Sequence, residues 1–342
     1  MFSTPHVAIV GTGSMSTVLA LLLASKGTPV VVWGHDPDHV ASLIQTRESK
    51  HLKGCKIPQV VRFTAKAEVA FTGASLIVSA VPTQHLRDVW TKLAPHLAAH
   101  SPAGIGIASF SKGIERETLL RPTQVIAQAI GTAGAGRPLA IVSGPTIAEE
   151  LARCLPATVC AASTDCAFAK LLQETFTAAW FRVYTHDDLV GVEIAGALKN
   201  CIALAAGVLD GLQAGNNAKS ALFARGLSEM ARLGVAMGAK PETFFGIAGA
   251  GDLATTCFSP TGRNRSCGEM LGRGMKLEQV LEQIPGVVEG VPTVTAAMAL
   301  ARKHGVEMPI CEQVHRVLFE NVDPMQAIGE LMRRAPKAEK VG

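Results

Sequence analysis

Three groups of residues in this sequence have types and spacings that could do chemistry. The first is Gly11-Thr12-Gly13-Ser14, directly after the apolar run at residues 7–10. The second is Lys199-Asn200, set inside the otherwise apolar stretch 194–209. The third is a set of small-residue segments: Ser111-Lys112-Gly113, Ser143-Gly144-Pro145-Thr146, and Gly249-Ala250-Gly251-Asp252 leading to Thr255-Thr256 and Gly262-Arg263-Asn264-Arg265.

A glycine turn between a first strand and a first helix suits a dinucleotide. Gly11 permits the tight turn, and Gly13 lets the backbone approach a pyrophosphate resting on helix N-terminal N–H groups. The third position of the motif, usually glycine or alanine, is Ser16. A bare G-x-G is weak evidence, but its place after one strand and before a helix, with a second strand ending near residue 33, makes it specific. The competing reading is an ordinary strand-to-helix turn. At the end of the second strand an acid would bond the ribose 2′-hydroxyl, whereas a cation would accept a 2′-phosphate. The residues there are Trp33-Gly34-His35-Asp36. Asp36 precedes Pro37 and reads as a helix cap. His35 is either a partner for a 2′-phosphate when protonated or a solvated loop histidine. NAD and NADP both stay open.

A helix apolar all round is buried, and buried lysines need partners. Burial and neighbouring cations lower a lysine's pKa into a range useful for proton transfer. Periodicity alone leaves a second reading for Lys199, an amine that escapes along one helix face. The segments at Ser111-Lys112-Gly113 and Ser143-Gly144-Pro145-Thr146 follow strands, where open α/β sheets bind ligands. The run from Gly249 to Arg265 offers backbone N–H groups, hydroxyls and a guanidinium fork, the components of a phosphate site. Two other signals carry little. Ser109-Phe110-Ser111-Lys112 matches S-x-x-K of serine acylases without the further motifs of that class. His96 and His100 have metal-ligand spacing but no third ligand at a known spacing, so no metal is expected.

These residues need a scaffold. Strands are predicted at 7–10, 30–33, 76–81, 105–109, 139–143 and 158–161, with helices such as 14–26 and 84–97 between them. Strands apolar on both faces that alternate with helices make a parallel sheet covered on both sides. Beyond about residue 187 the pattern turns to long helices, at 189–212, 217–237, 276–284, 293–304 and 312–319. The fold class is therefore α/β: a Rossmann-like, doubly wound parallel sheet followed by an all-helical domain. The expected division is a dinucleotide-binding domain at 1–186, a helical substrate and catalytic domain at 187–332, and a mobile tail at 333–342.

The 342 residues carry 48% apolar and 18% charged side chains, which provides for large cores and argues against disorder. A net charge of +4 without a basic block speaks against nucleic acid. Eight cysteines without a C-x-x-C pair read as reduced thiols in a cytosolic protein. Residues 1–6 lack a basic n-region, so no signal peptide is expected. The stretch 194–209 reads as too short and too polar to span a membrane.

Taken together, the motifs resemble the NAD(P)-dependent glycerol-3-phosphate dehydrogenase family. The match runs in family order over roughly residues 7–320. It is carried by the opening turn, residues 33–37, Val81-Pro82-Thr83-Gln84, Lys112-Gly113-Ile114-Glu115, Ser143-Gly144-Pro145-Thr146 and Phe181-Arg182-Val183-Tyr184. It continues through Gly196-Ala197-Leu198-Lys199-Asn200, Asn217-Ala218-Lys219, Arg225-Gly226-Leu227, Gly251-Asp252-Leu253, Ser259-Pro260, Arg263-Asn264-Arg265 and Val288-Glu289-Gly290. The resemblance implies reduction of dihydroxyacetone phosphate to sn-glycerol 3-phosphate, the backbone precursor of phospholipids, by a cytoplasmic enzyme. It implies that Lys199 is the proton donor and acceptor, with Lys112 and Asp252 beside it. By the same resemblance Lys112, Gly144, Thr146, Asn200, Asp252, Gly262, Arg263 and Asn264 hold the substrate. Gly11, Gly13, Ser14, Met15, His35, Lys112, Ala148, Arg263, Val287 and Glu289 are implied to meet NAD or NADP. Three departures stand out: Ser16 for the third loop glycine, Met15 where an aromatic is common, and Gly262 where serine is usual.

The expected chemistry is hydride transfer to the substrate ketone with Lys199 as general acid. Lys112 would lower its pKa and help stabilise the oxyanion. Asn200 and Asp252 would orient the lysine and the hydroxyl, and Arg263 would fix the phosphate. Two alternatives stand beside this reading: a dehydrogenase of the same architecture acting on a hydroxy acid or acyl thioester, and a nucleotide-binding redox regulator. The Arg263-Asn264 segment argues against the first, and Lys112, Lys199 and Asp252 together argue against the second. A homodimer through the helical domain is compatible with the sequence, although no exposed apolar stripe marks it.

Overall fold

The computed structural model describes residues 5–336 and 338. Residues 1–4, within the segment read as lacking a leader, and residues 337 and 339–342 of the expected tail lie outside the described residues. The chain folds as two compact units. One holds the described residues up to Ser111 and Pro122–Leu189; the other holds Lys112–Arg121 and the described residues from Val190 onward.

The strands are β1 (His6–Val10), β2 (Val30–Trp33), β3 (Glu48–Ser49), β4 (Leu52–Lys56), β5 (Val61–Thr64), β6 (Ala74–Ser79), β7 (Ile107–Ser109), β8 (Leu139–Ser143), β9 (Ala157–Ser163) and β10 (Phe181–His186). β3 and β4 form a small hairpin, and the other eight form one sheet in the order β10-β9-β8-β7-β6-β1-β2-β5. Its central strands are buried on both faces, as the all-apolar β1 and β2 runs require. The two edges were missed from the sequence because they alternate. In β10, Phe181 and Val183 face inward while Arg182 and Tyr184 face out, and in β5 only Val61 is fully buried. The sheet is parallel except where β9 runs antiparallel to β8. The link between them carries only the five-residue helix Ala148–Ala152.

Chain order reverses across β1, with β2 on one side and β6 on the other. Val10 is level with both Trp33 and Ser79, so the turns after β1, β2 and β6 begin side by side. This is the topological switch point at which open α/β sheets bind ligands.

The second unit is helical and is built around Leu189–Gly211. The helix expected at 189–212 is present with 23 residues, but the expectation from its inner stretch 194–209, too short and too polar to span a membrane, is overturned. It is long and apolar enough, by length and composition alone, to cross a membrane, yet 83% of its most apolar part is buried inside the protein. It therefore behaves as a core helix. The helix Arg263–Gly272 crosses it at backbone contact. A Cβ on Gly207 would sit 1.9 Å from the Arg265 carbonyl oxygen, and one on Gly268 would sit 1.9 Å from that of Leu204. Gly211 and Gly272 continue the same seam. Each helix thus presents a G-x-x-x-G stripe to the other, and only the missing side chains allow so close an approach.

Candidate active site

Lys199 lies mid-way along the core helix and is 6% exposed. Its amine does not escape to a helix face. Nζ donates to Asp252 Oδ1 at 2.5 Å and to Thr256 Oγ1 at 2.8 Å. Asp252 is 1% exposed, and its other oxygen, Oδ2, accepts from Lys112 Nζ at 2.8 Å. Thr256 passes its own proton to the Asp252 carbonyl at 2.6 Å, which leaves its oxygen free to accept from the lysine. Asp252 and Thr256 share one face of the helix Asp252–Phe258, one turn apart. Burial pushes the Lys199 amine down to about 8; Asp252 opposes that shift and Lys112 adds to it. An ammonium has three N–H donors. Two are spent on Asp252 and Thr256, so one is left to point at a ligand.

Asn200 does not touch the Lys199 amine, contrary to the orienting role expected for it. Its Nδ2 donates to the Lys112 carbonyl at 3.2 Å, and its Oδ1 accepts from Asn264 Nδ2 at 2.9 Å. Asn264 Oδ1 in turn accepts the Gly290 N–H at 2.9 Å. This chain of amides ties the core helix, the helix Arg263–Gly272 and the helix Gly290–His304 to the segment bearing Lys112. Gly290 has to be glycine, since a Cβ there would fall 2.8 Å from the Asn200 carbonyl and 2.9 Å from Asn264 Oδ1.

Residues 252–258 and 263–272 are helices, not the open loops suggested by their glycines and polar residues. Gly262 is the N-cap of the second and supplies no side-chain cap, so the first N–H groups of that helix have no side-chain acceptor. Arg263 opens the helix. It is exposed, and its guanidinium makes no hydrogen bond or ion pair among the described residues. Val287 and Glu289 lie just before the helix Gly290–His304, half-buried.

In the first unit the remaining candidates sit at the carboxyl ends of strands. Gly11 has a φ of 115°, and a Cβ on it would lie 2.9 Å from the Ala80 carbonyl oxygen, so both the turn and the close approach demand glycine. Gly13, N-cap of the helix Ser14–Ser25, has nothing within 4 Å of its Cβ position and no side-chain cap. The helix N-terminus therefore opens onto unfilled space at the switch point. Ser16 is fully buried against the turn, and its hydroxyl has no hydrogen-bond partner among the described residues, so this departure from the motif places a polar group where glycine or alanine is usual. Met15 packs on the first core. The Ser14 hydroxyl donates to the His51 carbonyl at 2.9 Å, which leaves its backbone N–H for a ligand. Asp36 caps Asp38 N at 3.0 Å and His39 N at 3.2 Å, while His35 is exposed beside it. Gly144, with a φ of 148°, follows β8; Thr146 donates to its carbonyl at 3.1 Å, and Ala148 begins the next short helix.

Two family models match the chain: NAD-dependent glycerol-3-phosphate dehydrogenase N-terminus over residues 6–169, and C-terminus over residues 188–329. The chain belongs to the NAD-dependent glycerol-3-phosphate dehydrogenase family. It is 47% identical over 335 residues to a glycerol-3-phosphate dehydrogenase [NAD(P)+] from Geobacter metallireducens, covering 98% of both chains. A relative of the same name from Geobacillus thermodenitrificans is 44% identical over 98% of this chain and 96% of its own. The crystal structure of the Coxiella burnetii glycerol-3-phosphate dehydrogenase superimposes with a TM-score of 0.90 at 38% identity, covering 98% of this chain and all of that one.

The expected class therefore holds: a nicotinamide-dependent oxidoreductase with a Rossmann-like unit and a helical unit. The cradle fits that cofactor family, since Gly11, Gly13 and an uncapped helix N-terminus meet at the switch point. The sequence offers Thr256 as a phosphate-site hydroxyl and Gly290 as part of a family motif, whereas the fold puts Thr256 on the Lys199 amine and Gly290 on Asn264. The i, i+4 spacing of Asp252 and Thr256 was the available signal for the first. Nothing in one sequence marks the second, because its role depends on an approach between distant segments. Among the described residues no cluster of three or more His, Cys, Asp or Glu could hold a metal. His96 does have an acid nearby, Glu68 at 3.9 Å, but both side chains are nearly half exposed.

Proposed function

We propose that this chain reduces dihydroxyacetone phosphate to sn-glycerol 3-phosphate, reversibly, with NADH or NADPH, in the cytoplasm and for glycerophospholipid synthesis. The observation that carries the reading is the buried Lys199 amine, held by Asp252 and Thr256 with one donor unspent. When bound, the reduced nicotinamide supplies a hydride to the ketone carbon. Lys199 donates a proton to the carbonyl oxygen as charge develops there, and takes it back in the reverse direction. Asp252 keeps the buried amine charged enough to act as an acid. Lys112 holds its pKa down and adds positive charge near the developing oxyanion.

The phosphate is assigned to Arg263 and the N-terminus of its helix, which offer an exposed guanidinium and uncapped N–H groups. Gripping the phosphate holds the ketone in place, so binding energy remote from the reacting carbon is used for orientation. Asn200 and Asn264 act in this account by fixing Lys112 and the helix of Arg263, with Gly144, Thr146 and Gly262 completing the substrate's surroundings. Gly11, Gly13, Ser14, Met15, His35, Ala148, Val287 and Glu289 are assigned to the dinucleotide, as are Lys112 and Arg263. The expected division at 186/187 shifts in one respect, since residues 112–121 go with the helical unit: that unit serves substrate binding and catalysis, and the other serves dinucleotide binding.

The same helical domain is proposed to form a homodimer. An apolar groove of about 360 Å³ runs among its helices, lined by Leu222, Val317, Ile328, Leu331 and Met332, and Met325 and Phe319 are also exposed on this domain. The deciding experiment follows oxidation of NADH and of NADPH by the purified protein with dihydroxyacetone phosphate. Substrate-dependent oxidation is expected with at least one cofactor. Its absence with both would end the proposal.

A further inference from the structure

A second ionic cluster lies outside the proposed site. Lys219, on the helix Gly215–Ala236, donates to both carboxylate oxygens of Asp210, at 2.8 and 2.7 Å. Its ammonium also sits 5.0 Å from the centre of the Phe258 ring. Asp210 pairs in turn with Arg265. Arg265 also donates to the Ser259 carbonyl at 2.8 Å, the Pro260 carbonyl at 3.5 Å and Glu269 at 2.8 Å. The Lys219 and Arg265 side chains are 10% and 12% exposed, so their charges are largely removed from water.

Desolvating such a cluster is costly, and apolar side chains of similar volume would often be as stable. Its geometry gives it another use. The two carbonyls held by Arg265 belong to residues 259–262, the only link between the helix bearing Asp252 and Thr256 and the helix opened by Arg263. Asp210 lies between Gly207 and Gly211 on the stripe that meets Arg263–Gly272 at backbone contact. It stands eleven residues beyond Lys199 on one helix, about 16 Å along the axis. It makes no hydrogen bond to the amine, and it meets the Arg263 segment through Arg265.

We infer that Asp210, Lys219 and Arg265 are positioning residues that hold the Arg263 segment at a fixed span from Lys199, and so set where the enzyme grips its phosphorylated substrate. The inference rests on the function proposed above. Asp210 fixes the Arg265 fork, Lys219 fixes Asp210, and Arg265 shapes the turn that delivers Gly262 and Arg263.

The test compares wild type with Asp210→Asn and, in case that variant folds poorly, Lys219→Met. Steady-state reduction of dihydroxyacetone phosphate is measured, together with competitive inhibition by inorganic phosphate. The KM for the substrate and the Ki for phosphate are both expected to rise about tenfold or more, the scale of one lost charge-assisted hydrogen bond. The pH at which kcat falls, which Lys199 sets, should not move. A lower kcat with unchanged KM and Ki would reduce the cluster to a stabilising role and overturn the inference, as would variants indistinguishable from wild type. Wild type without turnover on this substrate would instead refute the underlying function.

Discussion

Lys199 shows how two opposing effects set the state of one side chain. Burial alone favours a neutral amine, and the Asp252 carboxylate restores much of the charge; the outcome is a pKa near 8. Such a group carries a proton at neutral pH and can still release it, which a general acid operating in both directions requires. Replacing Lys199 with alanine is expected to lower kcat by about 10²–10⁴, the usual size of a general-acid contribution. Turnover near wild type in that variant would remove Lys199 from the chemistry. The sequence made the lysine conspicuous but left its burial open, because a helical period says nothing of what faces the amine. Asp252 and Thr256 stood out in a polar, glycine-rich run, but only the resemblance brought Asp252 to Lys199, and only the folded chain shows Thr256 beside the amine.

Elements place these residues through glycines of two kinds. Gly13 faces open space, so alanine there should leave stability unchanged and raise the KM for the dinucleotide. Gly207 faces a carbonyl oxygen, so alanine there should force two helices apart and cost about 1–3 kcal/mol or more. Denaturant unfolding of both variants, with cofactor KM values, separates the two roles; equal stability loss in both would contradict this distinction. The first glycine was legible because its turn is local in sequence. The second was not, because Gly207 and Gly268 form one seam only when distant helices cross. The same reasoning covers the sheet. Its central strands were legible as continuous apolar runs, whereas the edge strands β5 and β10 alternate and escaped notice.

At the scale of the whole molecule, each unit has its own core, and buried ionisable groups tie the stability of the second to pH. Glu229 is buried and accepts the Ile310 N–H at 2.7 Å and the Cys311 N–H at 3.3 Å, yet desolvation pushes its carboxyl up to about 7. A carboxyl raised on folding contributes stability that is present below its unfolded pKa and is lost as pH rises through about 7. The amount is on the order of 3 kcal/mol. Lys199 acts in a separate window, because its lowered pKa makes folding easier as pH climbs from about 8 towards 10.5. Thermal melts at about pH 5 and pH 8 should therefore show a larger drop for wild type than for Glu229→Gln. Equal drops would contradict this assignment of Glu229.

The α/β and helical division was readable from the change in periodicity near residue 187, and the family from motifs spread over both parts. The placement of residues 112–121 with the helical unit was not readable, since it depends on Lys112 meeting Asp252 and on Arg121 pairing with buried Glu193. That convergence on one buried amine is the centre of the account. Its most direct test is the pH dependence of kcat/KM in both directions, which reports groups on the free enzyme. Reduction of dihydroxyacetone phosphate needs protonated Lys199 and should fall as pH rises through about 8, while oxidation of sn-glycerol 3-phosphate needs the neutral amine and should rise over the same range. Profiles that are flat there, or that move in the same direction, would contradict the account.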